Sequence, residues 1–75
     1  MKLPSLDSRK VLKILKKAGF EIERQKGSHI ILKNYLIKRI TVVPKHPDKT
    51  IKTSLLYSII NDTGLSKEDF LNFYL

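Results

Sequence analysis

The sequence predicts an α+β fold in which one helix is followed by three strands and then by two more helices. Three observations predict it: the chain has only 75 residues, its apolar spacing changes from helical to alternating and back, and glycine or proline stands at the changes. A chain of this length supports one hydrophobic core, so we expect residues 1–75 to form a single domain. Two helices on one face of a three-stranded antiparallel sheet provide such a core.

The first helix is predicted from an amphipathic pattern that follows Pro4. Apolar residues recur at helical spacing from Val11 to Ala18, with basic residues between them, which gives one apolar and one basic face. Asp7 or Ser8 can cap the start of this helix, and Gly19 stands where a left-handed residue ends it. The basic face forms either a solvated surface or a surface for RNA phosphates or an acidic protein. It consists of Arg9, Lys10, Lys13, Lys16 and Lys17.

Three strands are predicted next, because the apolar period changes to two. The first alternates from Phe20 onward and is expected to bury one face. Gly27 and Ser28 form a turn before the second strand, and Pro44 stops the third because proline cannot continue a central ladder. The predicted strands are residues 20–25, 29–33 and 39–43.

Two helices are predicted after an exposed loop over residues 45–50. Residues 53–63 carry an apolar stripe and are followed by Gly64, a typical helix stop. Ser66 with Asp69 three residues later resembles a capping box and predicts a short last helix over residues 67–74. We expect the aromatic residues of this helix to pack in the core or at its end. They are Phe70, Phe73 and Tyr74.

Composition narrows the possible partners and chemistry. Fifteen Lys and Arg against seven Asp and Glu give a formal charge of +8, which favours RNA, DNA, anionic lipid or an acidic protein. No apolar run exceeds three residues, which excludes a membrane span. Cysteine is absent, which excludes thiol chemistry and fits a reducing, cytoplasmic setting. No Asp, Glu and His cluster has metal-ligand spacing, so we expect neither metal nor cofactor.

The segment from Arg24 to His29 carries the candidate chemistry. Gly27 would let the chain turn and let a phosphate approach the backbone. Arg24, Lys26 and Ser28 alternate along the chain and could share one strand face, which would leave His29 on the opposite face. The turn interrupts that alternation, so the sequence leaves open which of these side chains lie together. An imidazole can transfer protons near neutral pH. Lys45 and Lys49 in the later loop are further candidates for RNA contact.

Several short stretches together resemble the HicA family, also called YcfA-like. The stretches are Gly19-Phe20, the segment from Arg24 to His29, Val43-Pro44 with His46, Ile51-Lys52, and Leu56, Ile59 and Gly64. HicA proteins are small messenger-RNA interferase toxins of HicAB toxin–antitoxin modules. The resemblance implies a fold like the double-stranded RNA-binding domain, a ribonuclease activity with His29 as the catalytic histidine, and inhibition by a HicB antitoxin.

The sequence departs from the family pattern at three places. Ile30 stands where many members have a second histidine. Pro47-Asp48 replaces a frequent Gly-Gly, and Thr53-Ser54-Leu55 replaces a frequent Pro-Gly-Thr. These differences affect loop geometry and substrate preference more than the assignment of His29.

The chemistry expected of His29 follows from RNA itself. The 2′-hydroxyl can attack the adjacent phosphorus if one group removes its proton and another protonates the leaving 5′-oxygen. Arg24 and Lys26 can supply charge at the phosphate, and the reaction needs no metal. The second proton-transfer group is left open between Lys26, Ser28, His46 and a water molecule.

Two other interpretations remain from the sequence. His29 can be an ordinary strand residue in a non-catalytic RNA-binding module of the same fold. Such modules usually have a lysine cluster at the start of the second helix, whereas this chain has only Lys49 and Lys52 there, which favours the ribonuclease. The third interpretation is an inactive toxin that still binds its antitoxin. The sequence does not determine the oligomeric state.

Overall fold

The computed structural model of the chain describes residues 3–45 and 49–74. It has the predicted order of elements, α-β-β-β-α-α. The elements are α1 (Ser8–Lys17), β1 (Glu21–Lys26), β2 (His29–Asn34), β3 (Arg39–Pro44), α2 (Thr53–Thr63) and α3 (Lys67–Asn72). The predicted α+β arrangement, like that of the double-stranded RNA-binding domain, is therefore confirmed.

The sheet is antiparallel, and β2 lies between β1 and β3. Ile30 is opposite Val43 and Leu32 is opposite Thr41, and all four side chains are buried. Because successive side chains of a strand point to opposite faces, the first, third and fifth residues of β2 point to the other face. We call that second face the open face, since none of the described helices covers it.

The core lies between the sheet and the two longer helices. Both helices pack over β3, and α1 buries Val11, Ile14 and Leu15 through its apolar stripe. Phe70 of α3 is fully buried in the same core, Phe73 packs partly against it and Tyr74 is exposed. The expectation of core packing thus holds for the first two aromatic residues. No helix within the described residues has the length and apolar character needed to cross a membrane.

The helices α1 and α2 begin at the same end of the sheet. The carbonyl of Leu6, just before α1, accepts a 2.8 Å hydrogen bond from the amide of Ile51, just before α2. At the opposite end, the Asp62 carboxylate near the end of α2 accepts a 3.1 Å bond from Thr41, and Ala18 after α1 accepts one from Asn34. The first end of the sheet is the one that holds His29 and Pro44, which are paired across β2 and β3.

The prediction that the first strand buries one face is wrong. All six residues of β1 are exposed, including Ile22 at 45%, and the buried Phe20 lies just before the strand. The cause is the position of β1 at the sheet edge, away from the β3 surface on which the helices pack, together with a register shift between Ile22 and Arg24. Such a shift bends a strand and breaks its alternation.

Two strand ends and one helix end also differ from the prediction. Pro44 is the last residue of β3 rather than the residue that follows it, because an edge strand has an unpaired side where the missing N–H is tolerated. The second strand extends through Asn34. The last helix ends at Asn72 rather than at Tyr74.

Buried Asn34 joins α1 to the β2–β3 connection. Its Nδ2 donates to the carbonyl of Ala18 at 3.3 Å, and its Oδ1 accepts from the amides of Leu36 at 3.0 Å and Ile37 at 3.3 Å. Gly19 has a φ of 98° and leaves space for this side chain, since a Cβ there would lie 3.0 Å from Asn34 Nδ2. One side chain therefore fixes both the end of α1 and the shape of the β2–β3 connection.

Replacing Asn34 should test this role. Asn34→Ala removes three partly buried hydrogen bonds and the packing of a buried side chain, so we expect the free energy of unfolding to fall by about 2–4 kcal/mol. Urea unfolding followed by circular dichroism measures the change. The matched control is Asn61→Ala on the exposed face of α2, for which a change within about 0.5 kcal/mol is expected. Equal stability of the two variants would contradict the role of Asn34.

Candidate active site

A two-residue turn places the candidate catalytic histidine. Lys26, the last residue of β1, is paired with His29, the first residue of β2, and Gly27 and Ser28 join them. Gly27 has a φ of 59° whereas Ser28 keeps a negative φ, which is the pattern of a type II′ hairpin turn with glycine in first place. The side chain of Gln25 donates a 3.2 Å hydrogen bond to the Gly27 carbonyl and so braces the turn.

The turn is also attached to the third strand. The amide of Lys45 donates a hydrogen bond to the carbonyl of Ser28, which continues the β2–β3 ladder past its last pair. His29 is therefore held in the central strand between Lys26 on one side and Pro44 on the other. Its side chain is exposed, so a rigid backbone presents an imidazole that solvent can reach.

The strand register settles which groups share a face. Residues paired across an antiparallel ladder project to the same side, so Lys26 lies on the same face as His29. Arg24 is paired with Ile31, two residues along β2 from His29, and therefore shares that face as well. The alternative in which His29 faces away from the two cations is wrong. Because the turn contains two residues, Lys26 and His29 become cross-strand partners and project to the same face. Ser28 lies in the turn itself.

The later lysines approach the site from the β3 side. Lys45 is exposed and its backbone is bonded to the turn. Exposed Lys49 and Lys52 line a recess of 240 Å³ together with Pro44, the neighbour of His29. The candidate RNA-contact residues from both segments thus meet at one end of the sheet. His46 lies outside the described residues.

Sequence reasoning missed two contributors to this site. Lys52 is the N-cap of α2, and its side chain makes no capping bond. The sequence signal for this position was a lysine just before the predicted second helix, where a capping Ser, Thr, Asp or Asn is usual. Gln25 was not assigned a role, although a long amide side chain two residues before a turn glycine can reach the carbonyl of that glycine.

The electrostatics at this end of the sheet favour an anion. Both α1 and α2 begin here, and the N-terminus of a helix carries a partial positive charge. The Asp7 carboxylate accepts from the Lys10 amide at 2.9 Å and offsets that charge at α1, whereas the N-cap of α2 is a lysine whose side chain makes no capping bond. Residues 3–45 and 49–74 contain no group of three His, Asp or Glu side chains that could hold a metal ion. The described groups at this end therefore suit a phosphate.

Comparison with protein families agrees with the resemblance carried by the motifs. A family model described as the HicA toxin of bacterial toxin–antitoxin systems matches residues 8–65, which extend from the start of α1 past the end of α2. A comparison with curated proteins found no match. Membership implies a toxin whose partner is an antitoxin protein. Since the match includes most of the chain and all of the candidate site, the chain belongs to the HicA family of toxins.

Proposed function

We propose that this toxin is a metal-independent endoribonuclease that cleaves mRNA, inhibits translation and is held inactive by a HicB-like antitoxin. The observation that carries the proposal is the position of His29: an exposed imidazole on a rigid central strand, beside Lys26, at the end of the sheet where both long helices begin. An acid–base group and a phosphate-binding environment coincide there.

The proposed reaction is attack by RNA on its own backbone. The 2′-oxygen forms a bond to the adjacent phosphorus while the bond from phosphorus to the 5′-oxygen breaks. The products are a 2′,3′-cyclic phosphate and a free 5′-hydroxyl. One proton leaves the 2′-hydroxyl and one reaches the 5′-oxygen, and His29 performs at least one of these transfers.

The surrounding groups serve to bind and neutralise the phosphate. Lys26 lies on the face of His29, and Arg24 is placed next along that face. A Cβ on Gly27 would meet no atom within 4 Å, so the outer side of the turn is open to an approaching strand. Positive charge and backbone amides at this position stabilise the charge that develops on the phosphoryl oxygens.

The second proton-transfer group is left open in this proposal. Lys26, Ser28, His46 and a water molecule remain the candidates, and Lys26 is the described one that shares the face of His29. The positions of Lys49 and Lys52 beside Pro44 also suit a non-catalytic RNA-binding module. An inactive toxin that retains only its antitoxin is the third interpretation, and it predicts intact RNA with no shift in a gel.

Replacing His29 should abolish cleavage and preserve the fold. We expect His29→Ala to lower the cleavage rate of single-stranded RNA in EDTA by about 10²–10⁴-fold, the usual contribution of a positioned acid or base. Because His29 is exposed, the circular dichroism spectrum and the unfolding midpoint of the variant should match those of the unaltered protein. Full activity of a folded variant would refute the assignment. Intact RNA that shifts in a gel with both proteins would support the binding module.

The attacking group can be tested on the substrate. A 2′-deoxy nucleotide at the cleaved position removes the nucleophile, so we expect that RNA to remain intact while the all-ribose control is cut. Mass spectrometry of the control should detect the 2′,3′-cyclic phosphate end. Cleavage next to the deoxy position would contradict the proposed reaction.

The role of Lys26 can be separated from catalysis by measuring binding in the His29→Ala background. Adding Lys26→Gln should reduce the slope of log K against log salt concentration by about 0.7, the value for one phosphate contact on a single strand. Lys38→Gln, in the β2–β3 connection at the opposite end of the sheet, is the matched control and should leave the slope unchanged. The same slope for both variants would argue against a phosphate contact at Lys26.

A further inference from the structure

Apolar side chains are exposed on the open face from Ile31 to the end of the sheet opposite His29. We call the following group the sheet patch: Ile31, Leu36, Ile37, Ile40 and Val42. Leu36 is 91% exposed and Ile40 is 54% exposed, whereas Ile31 is half-buried. Scattered exposed apolar residues are normal in soluble proteins, but a continuous group marks an interaction site.

The sheet patch is continuous. Ile31 and Val42 are paired across β2 and β3 and project to the open face. Ile40 lies two residues before Val42 and therefore projects to the same face. Ile37 and Ile40 both border one shallow recess, whose other lining residues are polar and include Arg39, Asn61 and Asp62. Exposed apolar side chains thus extend from the middle of the sheet toward the tip of the β2–β3 connection, with a polar recess beside them.

The tip of the sheet patch is held in one conformation. The amides of Leu36 and Ile37 both donate to the side chain of buried Asn34. Lys38, with a φ of 56°, closes the connection. A rigid apolar tip loses little conformational entropy when it is buried by a partner, and this is the property expected of a preformed interface.

Charged residues around the sheet patch indicate the chemistry of its partner. Arg24 is paired with Ile31, Lys33 is paired with Ile40, and Lys38 is exposed beside the tip. Two carboxylates also lie near the sheet patch: Glu21, which is paired with Lys33, and Asp62, which lines the recess beside Ile40 together with Arg39. Cations therefore exceed carboxylates around an apolar centre, which complements a surface that has apolar side chains surrounded by Asp and Glu.

We propose that the antitoxin docks on the sheet patch, through a segment whose apolar side chains are flanked by carboxylates. This inference rests on the antitoxin partner that family membership implies and does not depend on RNA cleavage. A second copy of the chain is a poorer occupant, since each copy has a net charge of +8 and would bring like charges together. RNA is also a poorer occupant, since the surrounding cations could meet its phosphates but the aliphatic side chains at the centre would be left without apolar partners.

Docking on the sheet patch would leave the antitoxin close to the active site. Val42 is two residues before Pro44 on β3, and Pro44 is paired with His29. The far end of β2 is about 17 Å from His29 at about 3.3 Å per residue. A partner anchored on the sheet patch needs to extend only along the same open face to cover Lys26 and His29. Anchoring and inhibition are therefore neighbouring but separate contacts.

The test measures affinity for the purified antitoxin encoded beside this toxin, by isothermal titration calorimetry. The His29→Ala toxin is used so that the protein can be produced. We expect Leu36→Ser combined with Ile40→Ser to weaken binding by about 100-fold, as for two central interface residues. The matched control is Tyr57→Ser, at an exposed aromatic residue of α2 outside the sheet patch, and its affinity should change by less than about threefold.

Charge and activity measurements complete the test. Lys33→Glu should weaken binding more strongly in low salt than in high salt, since it reverses one of the surrounding charges. The Leu36 and Ile40 substitutions, made with His29 intact, should leave RNA cleavage without antitoxin unchanged. Any of three results would overturn the proposal: unaltered affinity in the variant with both Leu36 and Ile40 replaced, a larger loss of affinity in the α2 control, or no binding of the antitoxin by the His29→Ala toxin. None of these outcomes bears on RNA cleavage, so the two proposals can fail independently.

Discussion

Burial of Ile30 and Leu32 beneath the helices is the constraint on which the rest of the molecule depends. Both residues point into the core from the central strand, so their neighbours His29, Ile31 and Lys33 must point to the open face. A slip of one residue would bury the imidazole and expose the core residues. Because β2 is paired on both sides, the turn at Gly27 and the ladder with β3 both oppose such a slip. The position of the candidate catalytic group therefore follows from the packing of two aliphatic side chains.

Much of the architecture could be predicted because it depends on local chemistry. The Asp7 cap, the left-handed glycines after α1 and α2, and the alternation of β2 are each properties of a few adjacent residues. The exposure of β1 could not be predicted in this way. Its sequence alternates like a half-buried strand, but its burial depends on where the helices pack and on the shift between Ile22 and Arg24.

The candidate site was predicted as a set of residues rather than as an arrangement. The segment from Arg24 to His29 identified the chemistry, but the face of each side chain depended on the number of residues in the turn. Two turn residues make Lys26 the partner of His29. The approach of Lys49 and Lys52 to Pro44 joins parts of the chain that are distant in sequence, so only the folded structure could establish it.

The two ends of β2 differ in how much they contribute to stability. Asn34 at one end is buried, with its amide group bonded to three backbone groups, and it contributes to the fold. His29 at the other end is exposed and has little packing to lose. Groups that contribute little to stability are free to serve a reaction. The same strand can therefore remain rigid while its first residue is available to a substrate.

The shared direction of α1 and α2 has a kinetic consequence. Both helices begin near the β1–β2 turn, and although Asp7 offsets the partial charge at the start of α1, the start of α2 adds to the positive charge of Lys49 and Lys52 there. A polyanion that came within the Debye length of this end, about 8 Å at physiological ionic strength, would meet a favourable potential before contact. The rate of association at this end would then depend on salt more strongly than the lifetime of the complex.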